Sequence, residues 1–312
     1  MKLLDRFLDG DRIALSRVIT LLENDRDRRS AILDLLYPRS GKARRIGVTG
    51  PPGVGKSTLT DRLTSALRKN GRTVGVIAVD PTSPFSGGAL LGDRLRMQSA
   101  WDDPEVYVRS QADRSHAGGL SEATPHAMTA LDAFGKDVII VETVGVGQSA
   151  LDVSEVSDTT VVLLTPESGD SIQAMKAGLM EIADVLVVNK EDREGAGRFA
   201  SELQMIVDMG RWDDGWKPPV LRVSARDNTG MDGLYEQLAA HGDYLSGEGR
   251  LEKRRLRQGR SAIQRALGEL WRGRLTELRD GDDTLDRLSE RVARREIQPL
   301  AAAREIMDSL SI

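Results

Sequence analysis

The sequence predicts an α/β fold, a doubly wound and mostly parallel sheet with helical extensions at both ends. Six short runs of valine, isoleucine and leucine lack the polar alternation of a half-exposed strand, which indicates strands that are buried on both faces. Helical stretches separate these runs, as expected of strand–helix–strand units. The runs are residues 45–50, 73–80, 137–142, 159–166, 184–190 and 219–225.

Both ends of the chain show helical periodicity alone. Near the start, apolar residues at helical spacing follow Asp11, which is a suitable N-cap. Near the end, one apolar stripe is expected either to pack on the α/β domain or to meet a second copy of itself; it contains Ile263, Leu267, Leu270, Trp271, Leu275 and Leu278. The predicted division is a helical extension at 1–42, an α/β domain at 43–245 and a helical arm at 246–312.

Composition excludes several classes of protein. The 44 basic and 48 acidic residues give a formal net charge of −4, so the chain has no general attraction for nucleic acid or for anionic lipid. There are no cysteines, which excludes disulfides and thiolate metal sites. No apolar run is long enough to cross a bilayer, and three aspartates among the first eleven residues are atypical of a targeting peptide. The expected location is therefore the cytoplasm.

A glycine-rich segment directly after the first predicted strand matches the pattern G-x-x-x-x-G-K-[ST] and precedes a helical stretch. Glycines allow backbone N–H groups to surround an anion, and the start of the helix adds partial positive charge. Lys56 is expected to reach the β- and γ-phosphates, and the Ser57 hydroxyl to bind Mg²⁺. The sequence therefore predicts a nucleoside triphosphate site formed by Gly50, Pro51, Pro52, Gly53, Val54, Gly55, Lys56, Ser57 and Thr58.

Two further segments predict that the base is guanine. The fifth run ends in the pattern N-K-x-D, formed by Asn189, Lys190 and Asp192. A carboxylate at Asp192 can accept hydrogen bonds from the ring N1–H and the exocyclic amino group of guanine, whereas adenine offers neither donor there. The aliphatic part of Lys190 is expected to lie over the base. The next run ends in Ser224, Ala225 and Arg226, where GTPases use a backbone amide to contact the guanine oxygen.

Glu142 ends the third apolar run and is followed by a glycine-rich segment. The segment ETVG occupies the place of D-x-x-G in regulatory GTPases. Its carboxylate is expected to orient Mg²⁺ or a bound water, and the Gly145 amide to bond the γ-phosphate. The next residue is Val146, where many regulatory GTPases have a glutamine that orients the attacking water. We therefore expect slow intrinsic hydrolysis that a partner accelerates.

Together with longer blocks, these motifs make the chain similar to the MeaB/ArgK family of P-loop GTPases. The blocks are GPPGVGKST, VDPTSPFSGGALLGDRLRM, VETVGVGQS and PESGDSIQAMKAGLMEIADVLVVNKEDR. The resemblance covers nearly the whole chain. It implies a homodimer joined through the C-terminal helices. It also implies a chaperone that uses GTP to gate adenosylcobalamin loading and to protect or reactivate a cobalamin-dependent acyl-CoA mutase, above all methylmalonyl-CoA mutase, with a cobalamin adenosyltransferase as a possible further partner.

The same resemblance implies further site residues. Mg²⁺ would be managed by Ser57, Asp80, Asp93 and Glu142, and Asp80 also lies at the end of a predicted strand, on the edge where ligands bind. Gln173 and Lys176 align with residues that respond to the partner and would act in catalysis beside Lys56 and Glu142.

Several other functions compete with this interpretation. Family members have also been named as transport-associated kinases, so a P-loop phosphotransferase is the alternative, and a scaffold that binds nucleotide without hydrolysing it is a third hypothesis. Related GTPases that insert nickel or zinc carry Cys/His sites, but the three histidines of this chain are widely separated. The basic segment 249–260 lacks interleaved aromatic residues, which favours a solvated helix face over a nucleic-acid contact.

Overall fold

The structure is a computed structural model that describes residues 2–81, 103–113, 120, 123–143, 148–166, 178–212, 215–281 and 284–309. The chain forms two compact units, Met1–Arg254 and Arg255–Ile312. The first unit contains a sheet with helices on both faces, and the second consists of helices. None of the helices within these ranges has both the length and the apolarity needed to span a membrane.

The described elements follow one another in an alternating order typical of α/β proteins. The strands are β1 Arg44–Thr49, β2 Val74–Pro81, β3 Val106–Asp113, β4 Val138–Glu142, β5 Thr159–Leu164, β6 Val185–Val188 and β7 Val220–Arg222. The helices are α1 Lys2–Leu8, α2 Arg12–Asn24, α3 Arg26–Leu36, α4 Lys56–Lys69, α5 Thr124–Ala133, α6 Gln148–Val156, α7 Leu179–Ile182, α8 Ala196–Met209, α9 Met231–Ser246, α10 Arg250–Gly281, α11 Thr284–Ala293 and α12 Pro299–Ser309.

The strands form one sheet in the order β3-β2-β4-β1-β5-β6-β7, and every neighbouring pair is parallel. The predicted α/β fold is confirmed, with a sheet that is parallel throughout its described strands. The chain builds one half of the sheet up to β4 and then continues on the other side of β1. The order therefore reverses at β1, and ligands of doubly wound proteins bind in the crevice at such a point.

The prediction of six strands was one short, because β3 was missed. Its sequence alternates Val106 and Val108 with Tyr107 and Arg109 instead of forming a continuous apolar run. Among the described strands β3 pairs only with β2, so it lies at an edge of the sheet, where polar side chains are tolerated. Its polar side chains contact α2: Arg109 forms an ion pair with Glu23, and Gln111 donates to the same carboxylate over 2.8 Å.

Apolar side chains on both faces of the sheet form the core. On one face α4 and α9 pack against β1, β4 and β5, with Leu59 and Leu63 fully buried. On the other face α5 packs against β2 and β4, and α1, α2 and α3 share the same core, with Leu15 and Ile19 of α2 fully buried. The N-terminal helices therefore form part of the core of the first unit. Asp11 caps α2 as predicted, because its carboxylate accepts from two backbone amides of the first turn.

A buried polar cluster lies at the amino end of β6, remote from the carboxyl ends of the strands. Asp184 accepts two hydrogen bonds from Arg254 of α10, at 2.9 and 2.7 Å. His241 of α9 is fully buried between Asp184 and Thr159, whose hydroxyl lies 2.8 Å from its Nδ1 atom. The Trp216 ring packs against the imidazole at a centroid distance of 4.7 Å. These contacts fix the first turns of α10 within the first unit.

The second unit has a small core of its own. Leu288 of α11 packs with Ala302 and Ile306 of α12, and all three are buried. By contrast, several apolar side chains of α10 are exposed in this chain, namely Leu256, Ile263, Leu267 and Leu270.

Candidate functional site

The candidate site begins with the loop between β1 and α4, at the point where the strand order reverses. Gly50 and Gly55 have φ angles of 145° and 95°, which L-residues rarely adopt. A Cβ atom on Gly50 would lie 2.1 Å from the Leu163 carbonyl oxygen, and one on Gly55 would lie 2.5 Å from the side-chain nitrogen Nδ2 of Asn189. Both positions therefore require glycine for the loop to pass this close to its neighbours.

Lys56 is the first residue of α4, and its side chain is buried. Its ammonium group donates to the carbonyls of Gly50 and Pro51, over 2.9 and 2.8 Å. The cation is thus held inside the loop at the start of α4, the end of a helix where N–H groups point toward a bound anion. A loop with a buried cation at a helix start is suited to bind an anion such as a phosphate group.

Ser57 and Glu142 meet beside this loop. The Ser57 hydroxyl donates to Oε1 of Glu142 over 2.6 Å, and the carboxylate is buried. This contact is possible because β4 lies next to β1, with Glu142 opposite Val48. Glu142 is also opposite Ala78 of β2, so Asp80 lies two residues further along that strand, at the same edge of the sheet.

This pair has the chemistry of a magnesium site. Hydroxyl and carboxylate oxygens are the ligands that Mg²⁺ prefers, and the ion commonly takes only one or two of them from the protein while phosphates and waters complete the shell. The described residues include no group of three or more His, Cys, Asp or Glu side chains that would hold a metal alone. Ser57 and Glu142 therefore fit an ion that is bound together with a nucleotide.

Asn189 links the two predicted nucleotide loops to each other. Its side-chain amide donates to the Val54 carbonyl over 2.7 Å, and its Oδ1 atom accepts from the Ala225 amide over 3.0 Å. The side chain is buried. Asn189 thus holds the phosphate loop against the loop that follows β7.

The other two residues of the N-K-x-D pattern, Lys190 and Asp192, are more exposed than Asn189. Lys190 has a φ angle of 60°, a left-handed conformation that is uncommon for a residue with a side chain. Such conformations are maintained where the surroundings demand a particular direction of the chain. The Asp192 side chain is 40% exposed and lies 3.9 Å from the Arg193 guanidinium. Its carboxylate is therefore accessible to a base.

The loop after β7 is a closed turn. Ser224 and Thr229 exchange backbone hydrogen bonds at 3.0 and 3.1 Å, and the Ser224 hydroxyl donates to Asp227 over 2.7 Å. Ser224 and Ala225 are buried, whereas the Arg226 side chain is 85% exposed. The backbone of this loop is therefore held rigidly beside Asn189.

The structure brings together the loop at 50–58, Glu142, Asn189 and the turn at 224–226. Four predicted site residues, Asp93, Gly145, Gln173 and Lys176, lie outside the described residues, and so does the side chain of Asp80. One contact residue was missed from the sequence. Arg62 of α4 donates to the Ala225 and Arg226 carbonyls over 3.1 and 3.2 Å. Only its position on α4 could have indicated this role, and only if the packing of the loop against that helix had been known.

Comparisons with known proteins agree with this geometry. The family model described as "Methylmalonyl Co-A mutase-associated GTPase MeaB" matches residues 15–277. A Pyrococcus abyssi protein named as a candidate GTPase is 44% identical over 313 residues, covering 99% of this chain and 96% of its own length. GTPase ArgK of Escherichia coli is 37% identical over 261 residues, covering 81% of this chain and 79% of its own length.

A solved structure described as a LAO/AO transport system kinase superposes on the chain with a TM-score of 0.72 at 28% identity. It covers 100% of this chain and 97% of the solved one. The family match spans most of the chain and contains every site residue described above. The chain therefore belongs to the family of methylmalonyl-CoA mutase-associated GTPases, MeaB, and is a P-loop GTPase.

Proposed function

We propose that this GTPase is a chaperone of a cobalamin-dependent acyl-CoA mutase, with methylmalonyl-CoA mutase as its client. It would gate the loading of adenosylcobalamin and protect or reactivate the mutase, with GTP binding and hydrolysis as the signal. The observation that carries this proposal is the match over residues 15–277 to a family whose description names that mutase. A cobalamin adenosyltransferase is a further candidate partner, as the donor of the cofactor.

The proposed GTP site follows from the geometry of its loops. The phosphates would lie over the loop at 50–58, where Lys56 would exchange its bonds to the Gly50 and Pro51 carbonyls for bonds to phosphate oxygens. Guanine would lie between Lys190 and the turn at 224–226, with N1–H and the amino group donating to Asp192. This arrangement rejects adenine because a base that lacks both donors would leave the carboxylate unpaired.

Mg²⁺ would be held by Ser57 and Glu142 together with the nucleotide, and Asp80 and Asp93 are proposed as further acidic residues around it. The bound ion would neutralise charge that develops on the transferred phosphoryl group. In the structure the Ser57 hydroxyl donates to Glu142, so this hydroxyl must turn its lone pair to the ion when nucleotide binds. The carboxylate would then orient the ion or its water.

We propose that intrinsic hydrolysis is slow and that the mutase accelerates it. Val146 follows Gly145, where many regulatory GTPases have a glutamine that positions water, and an aliphatic side chain cannot do so. Gln173 and Lys176 are proposed to respond to the partner and to complete the catalytic site. The Gly145 amide would bond the γ-phosphate and release the segment around it after hydrolysis.

Turnover in the presence of the client tests this proposal. Phosphate release from GTP is measured with the protein alone, with purified methylmalonyl-CoA mutase, and with an unrelated acyl-CoA enzyme as the control. We expect a slow basal rate, a rate at least about tenfold higher with the mutase, and no change with the control. The Lys56→Ala variant should lose both rates, since the cation that reaches the phosphates is gone. A turnover rate indifferent to every cobalamin mutase of the host would contradict the chaperone role.

A P-loop phosphotransferase is the alternative, and the superposed solved structure favours it because that protein is described as a kinase. The two functions differ in where the γ-phosphoryl group goes. In the GTPase it is released to water as inorganic phosphate, whereas in a kinase it is transferred to an acceptor. Incubation with γ-labelled GTP and candidate amino-acid or protein acceptors distinguishes them, and a labelled acceptor would replace the GTPase chaperone with the kinase.

A further inference from the structure

Arg62 lies in α4, six residues after Lys56, and contacts the turn at 224–226. Its Nε atom donates to the Ala225 carbonyl over 3.1 Å, and its Nη2 atom donates to the Arg226 carbonyl over 3.2 Å. One half-buried guanidinium therefore joins two consecutive carbonyls to the helix that starts at the phosphate loop. Hydrogen bonds from a charged donor are stronger than those between neutral groups.

These two bonds fix the direction of one particular amide. The peptide between Ala225 and Arg226 is planar and trans, so the Arg226 N–H points opposite to the Ala225 carbonyl that Arg62 holds. The two neighbouring amides already have partners within the protein. The Ala225 amide donates to Asn189 over 3.0 Å, and the Asp227 amide donates to the Ser224 hydroxyl over 3.3 Å.

The chemistry of the purine at position 6 gives this amide a role. Guanine has an oxo group there, which accepts a hydrogen bond, whereas adenine has an amino group, which donates. A fixed N–H donor at this place favours guanine and opposes adenine. We propose that Arg62 is a positioning residue for base recognition, which orients the Arg226 amide toward the 6-oxo group of the bound nucleotide.

This inference rests on the guanine site proposed above and divides base recognition between two groups. Asp192 would read the N1–H and the 2-amino group, and the Arg226 amide, held by Arg62, would read the 6-oxo group. Inosine diphosphate distinguishes the two, because it retains the 6-oxo group and N1–H but lacks the 2-amino group. Loss of Arg62 should therefore affect GDP and IDP equally.

The test measures the dissociation constants of GDP, IDP and ADP for the wild type and for Arg62→Ala. We expect GDP and IDP to bind about tenfold more weakly to the variant, the ratio of their affinities to remain unchanged, and ADP binding to stay as it is. Arg62→Lys should restore part of the loss, since an ammonium can still donate to these carbonyls. Lys69→Ala, which removes an exposed cation from the end of the same helix, should bind all three like the wild type.

Other outcomes overturn the inference. Unchanged GDP binding would show that Arg62 orients nothing the base needs. A parallel loss for GDP, IDP and ADP would show that Arg62 only supports the fold or the phosphate loop, and a changed GDP to IDP ratio would place its effect at Asp192. If Arg62→Ala does not fold, Arg62→Lys carries the test with the same pattern at a smaller size. Equal binding of GDP and ADP by the wild type would overturn the guanine site itself.

Discussion

At the scale of single residues, the pair of Ser57 and Glu142 is the most informative contact. The hydroxyl of a helix start and the carboxylate of a strand end are 85 positions apart in sequence and 2.6 Å apart in space. The fold produces this contact by placing β4 next to β1. A carboxylate is buried here because a hydroxyl, and in our proposal a metal ion, offsets the cost of removing it from water.

Replacing Ser57 by alanine should remove the benefit of magnesium for nucleotide binding. Loss of an outer partner of a metal ligand weakens metal affinity 10–100-fold in typical sites, so loss of a direct ligand should cost at least about tenfold. GDP affinity is measured with Mg²⁺ and with EDTA. Ser65→Ala makes the same chemical change further along α4, where the hydroxyl donates to a helix carbonyl, and should leave the effect intact. An unchanged magnesium effect in Ser57→Ala would exclude Ser57 as a ligand.

His241 predicts a pH dependence of stability. Burial lowers the pKa of its imidazole to about 4 from the usual 6.5, partly opposed by the Asp184 carboxylate, while Arg254 lowers it further. Above pH 6.5 the residue is neutral in both states. Between pH 6.5 and about 4 only the unfolded chain takes up the proton. The free energy of unfolding therefore decreases as the pH is lowered through this range, by up to about 3 kcal/mol.

The His241→Gln variant isolates this contribution. Urea unfolding is followed at pH 7 and pH 5 by tryptophan fluorescence, because Trp216 lies against the imidazole. The wild type should lose more stability than the variant between these pH values, since both share the carboxylates that also titrate. An equal loss in the two proteins would mean that His241 is not responsible.

Sequence reasoning at this scale was most informative where a motif encodes backbone geometry. The spacing of Gly50, Gly55 and Lys56 identified the loop, because only glycine adopts its φ angles and avoids its close neighbours. It was less complete for contacts between distant segments. Asn189 bonds to the phosphate loop and to the turn at 224–226, and Arg62 of α4 bonds to the same turn. These contacts depend on how the segments pack in space, which no local pattern specifies.

At the scale of elements, β3 and the N-terminal helices belong together. Arg109 and Gln111 of β3 reach Glu23 of α2, and Gln111 also accepts from Thr124 of α5. The continuous apolar runs of the six predicted strands identified them because both of their faces are buried. The edge strand β3 was missed because its residues that face α2, Arg109 and Gln111, bond to that helix and are polar for that reason.

The packing of α1 to α3 in the core should make the stability of the first unit sensitive to substitutions far from the nucleotide site. Leu15 of α2 is fully buried in the core that covers β2 and β4, whereas Ile13 of the same helix is 60% exposed. Leu15→Ala should lower the free energy of unfolding of the first unit by about 2–5 kcal/mol, because it leaves a cavity. Ile13→Ala is the matched control and should cost less than about 1 kcal/mol. Equal effects in a denaturation experiment would mean that these helices are a loosely attached extension.

At the scale of the whole molecule, the main feature is an exposed apolar stripe on α10, in the part of the helix that follows Arg254. Leu256, Ile263 and Leu270 recur every seven residues, so they lie on one face of the helix. Such a stripe in water is typical of a surface that another helix covers. The stripe is consistent with the homodimer, joined through the C-terminal helices, that the family resemblance implies, and we propose this face as its interface.

Charged substitutions in this stripe should separate the proposed homodimer. We expect the wild type to sediment as a dimer and the double variant Ile263→Asp, Leu270→Asp as a monomer, because the association would have to bury two carboxylates. Ala262→Asp introduces a single carboxylate about 100° away from Ile263 around the helix and should remain dimeric. A monomeric wild type, or a dimer that survives both aspartates, would exclude this face as the interface.

The central claim is that the loop at 50–58 binds the phosphates while the Asp192 carboxylate recognises guanine. Titration calorimetry tests it most directly, by measuring the affinities of GDP, ADP and xanthosine diphosphate. The wild type should bind GDP at least about tenfold more tightly than ADP, since adenine would leave the Asp192 carboxylate unpaired. The Asp192→Asn variant should bind GDP more weakly and xanthosine diphosphate more tightly than the wild type, because its side-chain amide can donate to the 2-oxo group of xanthine. A wild type that holds ADP as tightly as GDP, or a variant with unaltered preference, would contradict the proposed guanine site.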